Sequence, residues 1–168
     1  MTTRTKLIVV VMLALSLILT LTACMGQWFT PKQVATLIIG KPVISGNRGE
    51  VVISVANMPG QGLASIAIDE KGITFNDINA ATITATGLNG FTVLAQDFTT
   101  TPGKGCLVAA NSTSGNVSGP ILKITFEVTG ANPTLEIVDQ GKVTLGSALN
   151  TLIPAWTLSS NATDYYVR

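Results

Sequence analysis

The sequence has no histidine and little charge, and each absence removes a class of function. None of the 168 residues is histidine, so the commonest general base and the commonest metal ligand of proteins are both missing. Charged residues make up 11% of the chain and form no basic cluster, which argues against a nucleic-acid partner. Aromatic residues make up 5%, and Trp and Tyr occur only at Trp28, Trp156, Tyr165 and Tyr166. The composition favours a non-catalytic protein over an enzyme.

Cysteine is also scarce, since only Cys24 and Cys106 occur. Cys106 lies in the apolar segment 105–110, which the sequence predicts as a buried strand. We therefore interpret Cys106 as an inert, small hydrophobic side chain of that strand. A reactive thiol and an intermolecular link are the alternatives in an exported chain.

The first 23 residues have the pattern of a cleaved export signal. Arg4 and Lys6 precede an apolar run that continues to Leu21. The run has about 15 residues, fewer than the roughly 20 that a helix needs to cross a hydrocarbon core. The pattern predicts a signal peptide at 1–23 rather than a permanent membrane helix.

The end of this segment, Leu21-Thr22-Ala23-Cys24, resembles the lipobox of prokaryotic lipoprotein precursors. The resemblance implies that Cys24 is lipidated and becomes the first residue of the mature chain. Two acyl chains hold a protein stably at a bilayer without any protein span. We expect an exported, membrane-anchored lipoprotein that faces outside the cytoplasm. An ordinary secretory signal that ends by chance in a cysteine is the alternative.

The remaining chain reads as one domain with short flanks. Removal of 23 residues from 168 leaves 145, a length typical of one domain. From 34 to 154, short segments rich in Val, Ile and Thr alternate with Gly, Pro, Asn and Ser at intervals of roughly 8 to 12 residues, which is typical of an all-β sandwich. Residues 24–33 are predicted as a lipidated N-terminus and spacer, and 155–168 as a C-terminal extension.

Period-two alternation gives the clearest strands. In the segment 121–129 the residues Leu122, Ile124 and Phe126 alternate with polar residues, so they are predicted to face the core. The segment 63–69 is predicted to bury its even-numbered residues, which leaves Leu63, Ser65 and Ala67 outward. Nine strands are expected in all, at 35–39, 50–56, 63–69, 80–86, 91–98, 105–110, 121–129, 134–138 and 142–145.

Several of these segments together resemble the cohesin family, which belongs to a superfamily of carbohydrate-binding β-sandwiches. The resemblance is carried by a glycine-containing turn, a strand that ends in Asn-Met-Pro, a glycine-led strand and a late glycine-led strand with Thr-Phe at its centre: residues 46–50, 51–59, 62–64 and 119–128. It implies a nine-stranded jelly roll and a non-catalytic attachment module.

The same resemblance implies a binding strand, and this chain departs from the family there. In cohesins that capture dockerins, Asn and Asp side chains on the exposed face of the strand corresponding to 63–69 bond to the partner. Ser65 and Ala67 occupy the outward positions here, and Asp69-Glu70-Lys71-Gly72 replaces the usual turn. Loss of an anchoring carboxylate removes a charge-assisted bond of about 1.5 to 3 kcal/mol. A dockerin-like surface protein is therefore a candidate partner, but the side chains through which cohesins usually hold a dockerin are absent at these two positions.

Other chemistry has weaker support in the sequence. Asp69, Glu70 and Asp77 are oxygen donors of the kind that calcium prefers, but their spacing matches no known loop motif, so neither metal nor cofactor is predicted. A polysaccharide platform built from Trp156 with Tyr165 or Tyr166 is the main alternative to a protein-binding face.

The sequence thus predicts a lipid-anchored, non-catalytic surface module that attaches to protein or polysaccharide. The predicted site residues are Cys24 for lipid and Leu63, Ser65, Ala67 and Trp156 for binding. A carbohydrate-binding accessory lipoprotein and a structural subunit of the envelope remain open.

Overall fold

The computed structural model describes residues 34–111, 115–147, 151–153 and 155–162, and their regular structure is almost entirely β. Two single turns of 3-10 helix, Ala80–Thr82 and Gln140–Lys142, interrupt the strands. The strands are β1 Ala35–Gly40, β2 Val43–Ser45, β3 Arg48–Ala56, β4 Leu63–Asn76, β5 Thr84–Gly87, β6 Phe91–Asp97, β7 Lys104–Asn111, β8 Gly119–Glu127, β9 Thr134–Ile137, β10 Val143–Ser147 and β11 Trp156–Ala162.

The strands form the two sheets of a sandwich. The first sheet has the order β11-β1-β3-β8-β5, with β2 beside β3. The second has the order β10-β4-β7-β6, with β9 beside β4. The pair β1 and β11 is parallel, whereas the other pairs between these strands are antiparallel. The prediction of an all-β sandwich is confirmed.

The core lies between the sheets and follows the predicted alternation. On β3, Val51, Ile53 and Val55 are at most 1% exposed. On β8, Leu122 and Ile124 are fully buried, and Phe126 is nearly so. Because successive side chains of a strand point to opposite faces, these inward residues leave the intervening ones on the opposite face of each sheet, where Ser54 of β3 is nevertheless buried.

The described residues form eleven strands where the sequence predicted nine. The two additional strands are β2, whose three residues are all exposed, and β11, which follows the segment expected to end the sandwich. Within the predicted strand 80–86, residues Ala80–Thr82 instead form a 3-10 turn. The Asn79 side chain caps that turn by accepting a hydrogen bond from the backbone N–H of Ala81 at 3.2 Å.

β4 is longer than predicted because it continues past a bulge that lies between Ile68 and Ile73. Ile68 pairs with Leu107 and Ile73 pairs with Gly105, so three extra residues of β4 are accommodated between these pairs. Lys71, with a φ of 66°, lies in this segment. Beyond it, the last four residues of β4 pair with β9. The region that the sequence marked as a turn is therefore a bulge within one strand.

The sandwich also extends beyond Pro154. β11 begins at Trp156, which pairs with Ala35, and runs parallel to β1 as far as the pair Gly40 and Ala162. This strand lies in the segment 155–168 that the sequence marked as an extension. The edge of the first sheet is thus formed by residues more than 100 positions from their partners in β1.

Candidate binding face

Small, uncharged residues cover the centre of the outer face of the second sheet. The strand register aligns them in two rows across β10, β4, β7 and β6. One row contains Gly146, Ser65, Ala110 and Thr92, and the other contains Thr144, Ala67, Val108 and Ala95. These eight residues are called the small-residue face below.

The side chains at the centre of the small-residue face are short and partly buried as well as uncharged. Ser65 and Ala67 on β4, with Val108 and Ala110 on β7, are half-buried although they point outward, because strands flank them on both sides. A Cβ on Gly146 would lie 2.2 Å from the Ser65 Oγ, so a larger residue there would require that hydroxyl to move. The middle of the sheet therefore carries only short side chains, and the larger Leu94, 65% exposed, lies at the bulge of β6 between Thr92 and Ala95.

Ser65 and Ala67 occupy the outward positions that the sequence predicted, but Leu63 does not. Leu63 is 0% exposed and belongs to the core. The register explains the error: Gly146 pairs with Ser65 and Ser147 pairs with Leu63, so Ala64 is an extra residue on β4. This bulge reverses the alternation and turns Leu63 inward.

Cys106 lies on the same outer surface, at one end of the small-residue face. The predicted burial of Cys106 is wrong, because Leu107 takes the inward position and Cys106 is half-buried on the outside, while the inertness of its thiol stays a prediction. Cys106 borders a small depression with polar and charged walls that include Glu70, Lys71, Asp97 and Lys104. Charge thus appears at the margin of the small-residue face and not at its centre.

At this margin Asp97 holds the loop that follows β6. Its carboxylate accepts hydrogen bonds from the backbone N–H groups of Thr99 and Thr100, at 2.9 and 3.1 Å, and from both threonine hydroxyls. The Thr100 hydroxyl has the largest effect and the two N–H groups add to it, so the pKa of Asp97 falls from 3.8 to about 2. The carboxylate is therefore a loop cap.

Trp156 is not available as a sugar platform. Its side chain is 9% exposed and packs in the hydrophobic core. The parallel pairing with Ala35 places it there, a contact that no local pattern reveals. Tyr165 and Tyr166, its predicted partners in a stack, lie outside the described residues.

The carboxylates considered for calcium have separate surroundings. Asp77 accepts a hydrogen bond from the backbone N–H of Asn132 at 3.0 Å, and a Cβ on Gly130 would lie 2.3 Å from its Cγ. Asp69 and Glu70 belong instead to the bulge of β4. Among the described residues, no group of three or more His, Cys, Asp or Glu is placed to hold a metal.

Cys24 and the predicted spacer 24–33 lie outside the described residues. Within the described part of the chain, no helix has the length and apolar character to span a membrane.

Comparison with solved structures identifies the fold. The sixth cohesin of scaffoldin B from Acetivibrio cellulolyticus, solved in complex with a Cel5 dockerin, has a TM-score of 0.53 and 13% identity, and the match covers 77% of this chain and 99% of that one. The chain has the cohesin fold. The seventh ScaB type I cohesin of Pseudobacteroides cellulosolvens gives a TM-score of 0.51 and 15% identity, with 80% and 96% of the two chains covered.

A type II cohesin dyad from the ScaA scaffoldin of A. cellulolyticus gives a TM-score of 0.54 at 10% identity, covering 78% of this chain and 49% of the dyad. No protein-family model and no curated protein matches the sequence. The cohesin fold is therefore evident from the course of the backbone, while the sequence is only 10% to 15% identical to these three structures.

The buried position of Trp156 predicts a stability defect. We expect Trp156→Ala to lower the free energy of unfolding by about 3 to 5 kcal/mol, because it leaves a cavity where an indole packed. Leu152→Ala, at a side chain that is 69% exposed, is the control and should change it by less than about 0.5 kcal/mol. Urea unfolding measures both values, and an unchanged stability of Trp156→Ala would contradict the burial.

The loop cap predicts a pH dependence. The lowered pKa means that the stabilising contribution of Asp97 is present above the ordinary value of 3.8 and is lost as the pH falls through about 2. Asp97→Asn should therefore melt below the wild type near neutral pH, and the gap in Tm should close across that acid range. An NMR titration should place the Asp97 midpoint near 2; a midpoint at or above 3.8 would refute the cap.

Proposed function

We propose that this chain is a non-catalytic protein-binding module that docks its partner on the small-residue face and is held at a membrane by lipid on Cys24. The observation that carries the docking proposal is the pair of uncharged rows at the centre of the second sheet. Charged groups begin only at the margin of this surface.

The chemistry of this face favours contact with another protein surface. Its side chains are short, so they lose little rotamer freedom when a partner covers them. Its centre holds no charge that docking would strip of water, which avoids the main energetic penalty of burying a polar surface. An uncharged surface of short side chains fits a helix or sheet that brings its own larger side chains.

The cohesin fold also supports the small-residue face as the docking surface. One neighbour was solved with a dockerin bound, and the sequence resemblance implies that cohesins meet dockerins on the strand that corresponds to the start of β4. In this chain Ser65 and Ala67 stand at those outward positions. A hydroxyl and a methyl replace the family's Asn and Asp, so the partner is bound by shape and apolar contact instead of by charge-assisted bonds.

A polysaccharide is a weaker candidate than a protein. Sugar recognition often uses exposed flat aromatic rings, and the one predicted in the described region, Trp156, packs in the core. The small-residue face itself contains no aromatic side chain. A protein partner is therefore the stronger hypothesis, and a polysaccharide partner is the weaker one.

The proposed anchor rests on the sequence at the N-terminus. Arg4 and Lys6, the apolar run that follows and the lipobox-like Leu21-Thr22-Ala23-Cys24 together support export and lipidation. With the lipid at Cys24, residues 25–33 form the tether that presents the sandwich outside the cytoplasm.

Ala67→Arg tests the docking face. We expect the arginine to abolish capture of the partner, because a long charged side chain at the centre of the interface both obstructs contact and must lose its water. Proteins retained from secreted and envelope fractions are identified by mass spectrometry, and the affinity of each is then measured by calorimetry against wild type and variant.

Two threonines supply a matched control for this experiment. Thr144 lies in the small-residue face on β10, and Thr86 is an exposed threonine on β5 in the other sheet. Thr144→Arg should weaken the same binding, whereas Thr86→Arg should leave it unchanged. Equal binding by all variants, or equal loss with both threonine variants, would show that the partner does not use this face.

Cys24→Ser tests the anchor separately. Without the thiol no diacylglycerol can be attached, so we expect the protein to lose its lipid mass and to leave the membrane fraction. Mass spectrometry and membrane fractionation measure the two effects. Retention of the variant in the membrane to the wild-type extent would refute the lipid anchor without bearing on the docking face.

A further inference from the structure

A second concave surface lies on the opposite sheet, away from the small-residue face. It is a groove of about 500 Å³ on the outside of the first sheet. Its walls come from the hairpin of β2 and β3, from the end of β8 and from the 3-10 turn Ala80–Thr82. Clefts that take small ligands have volumes of roughly 300 to 1,000 Å³, so the groove is large enough for one.

Gly49 sets the shape of this hairpin. A Cβ on Gly49 would lie 2.3 Å from the Phe126 ring and 2.7 Å from the Ile44 side chain. The absence of a side chain lets β2 and the buried ring close together beneath the groove. The neighbours Arg48 and Glu50, one residue to either side, therefore point outward and line it.

The charged groups of the groove form a compact set. Arg48 is directly opposite Glu127 in the pairing of β3 with β8, and Glu50, two residues along, is opposite Thr125. Two carboxylates and one guanidinium thus share one patch, with a net charge of −1. Lys123 lies one row farther along, opposite Val52, and is not part of the lining.

Within the described part of the chain, the side chains of Arg48, Glu50 and Glu127 make no hydrogen bond or ion pair. The threonine hydroxyls of the groove differ. Thr82 donates to the Asn79 carbonyl at 2.8 Å and accepts from the Glu127 N–H at 2.9 Å, and Thr125 contacts the Thr84 carbonyl. The two threonine hydroxyls thus bond to the backbone of the groove walls, whereas the three charged side chains are available to contact a ligand.

We propose that this groove binds a primary ammonium group carried on a short alkyl stem. The two carboxylates would accept its hydrogen bonds, while Val43, which is 63% exposed at the rim, would pack against the methylenes. Arg48 limits the site to one cation by cancelling part of the negative charge. The same chemistry is presented by a free diamine and by a lysine side chain of a polypeptide.

The lining favours an amine over a sugar. The one aromatic residue of the groove, Phe126, is 3% exposed and offers no ring face for stacking. Carboxylates outnumber the guanidinium, which favours a cation over an anion or a neutral ligand. The site is also independent of the proposed docking face, because it lies on the other sheet.

An NMR titration of the full-length chain in detergent tests the proposal. The probes are 1,5-diaminopentane and Nα-acetyl-lysine methylamide, with Nα-acetyl-norleucine methylamide as the uncharged match and cellobiose as the sugar. We expect saturable shifts with the two amines, confined to residues 43–50, 82 and 125–127. A stronger response to the lysine derivative than to the diamine would assign the amine to a polypeptide, and the reverse would assign it to a free diamine.

Paired substitutions make the result decisive. Glu50→Gln with Glu127→Gln should weaken amine binding about tenfold or more, because both charged acceptors are lost. Glu70→Gln with Glu136→Gln, at exposed positions of the second sheet, removes the same net charge and should leave binding unchanged. Equal shifts from the norleucine derivative, a response to cellobiose alone, no saturable shift at all, or equal weakening by both double variants would overturn the proposal.

Discussion

The pairing of β4 with β7 on one side and with β10 and β9 on the other organises the second sheet. Because a strand presents alternate residues to opposite faces, this single strand determines both what the core receives and what the outer face displays. Ile66 and Ile68 pack inward with at most 1% exposure, and Ser65 and Ala67 are held outward between them. A slip of one residue would exchange the two sets, so burial of the isoleucines fixes the small-residue face as firmly as it fixes the core.

The bulges on β4 show how such a strand is adapted without losing its register. The first, at Ala64, allows Leu63 to join the core at the strand's start. The second, around Lys71, lets the strand pass from its pairing with β10 to its pairing with β9. Between them lie four residues with regular alternation, and it is this regular part that carries Ser65 and Ala67. The two bulges of β4 therefore lie at either end of the segment that carries Ser65 and Ala67.

The sequence predicts those features that depend on neighbouring residues. The inward residues of β3 and β8 follow from period two, and the Ser65 and Ala67 positions follow from the same rule. Local patterns do not reveal β2, whose three residues are all exposed, or β11, whose partner strand lies more than 100 residues away. The wrong predictions for Leu63 and Trp156 also come from pairing between distant strands.

Leu63 turns inward because of its register with β10, and Trp156 is buried because of its register with β1. The groove was missed for a related reason, since Arg48 and Glu127 meet only across paired strands. Non-local pairing thus decides the parts of both candidate sites that the sequence does not predict.

The parallel pair of β1 and β11 has a mechanical consequence. In the proposed arrangement the tether joins the sandwich immediately before β1, so tension from the membrane enters the domain at that strand. β1 is bonded on one flank to β11 and on the other to β3. A pull along its axis loads both ladders in shear, which shares the force among many hydrogen bonds at once instead of breaking them one after another. A domain built in this way can resist drag on a captured partner even though its docking face carries no charge.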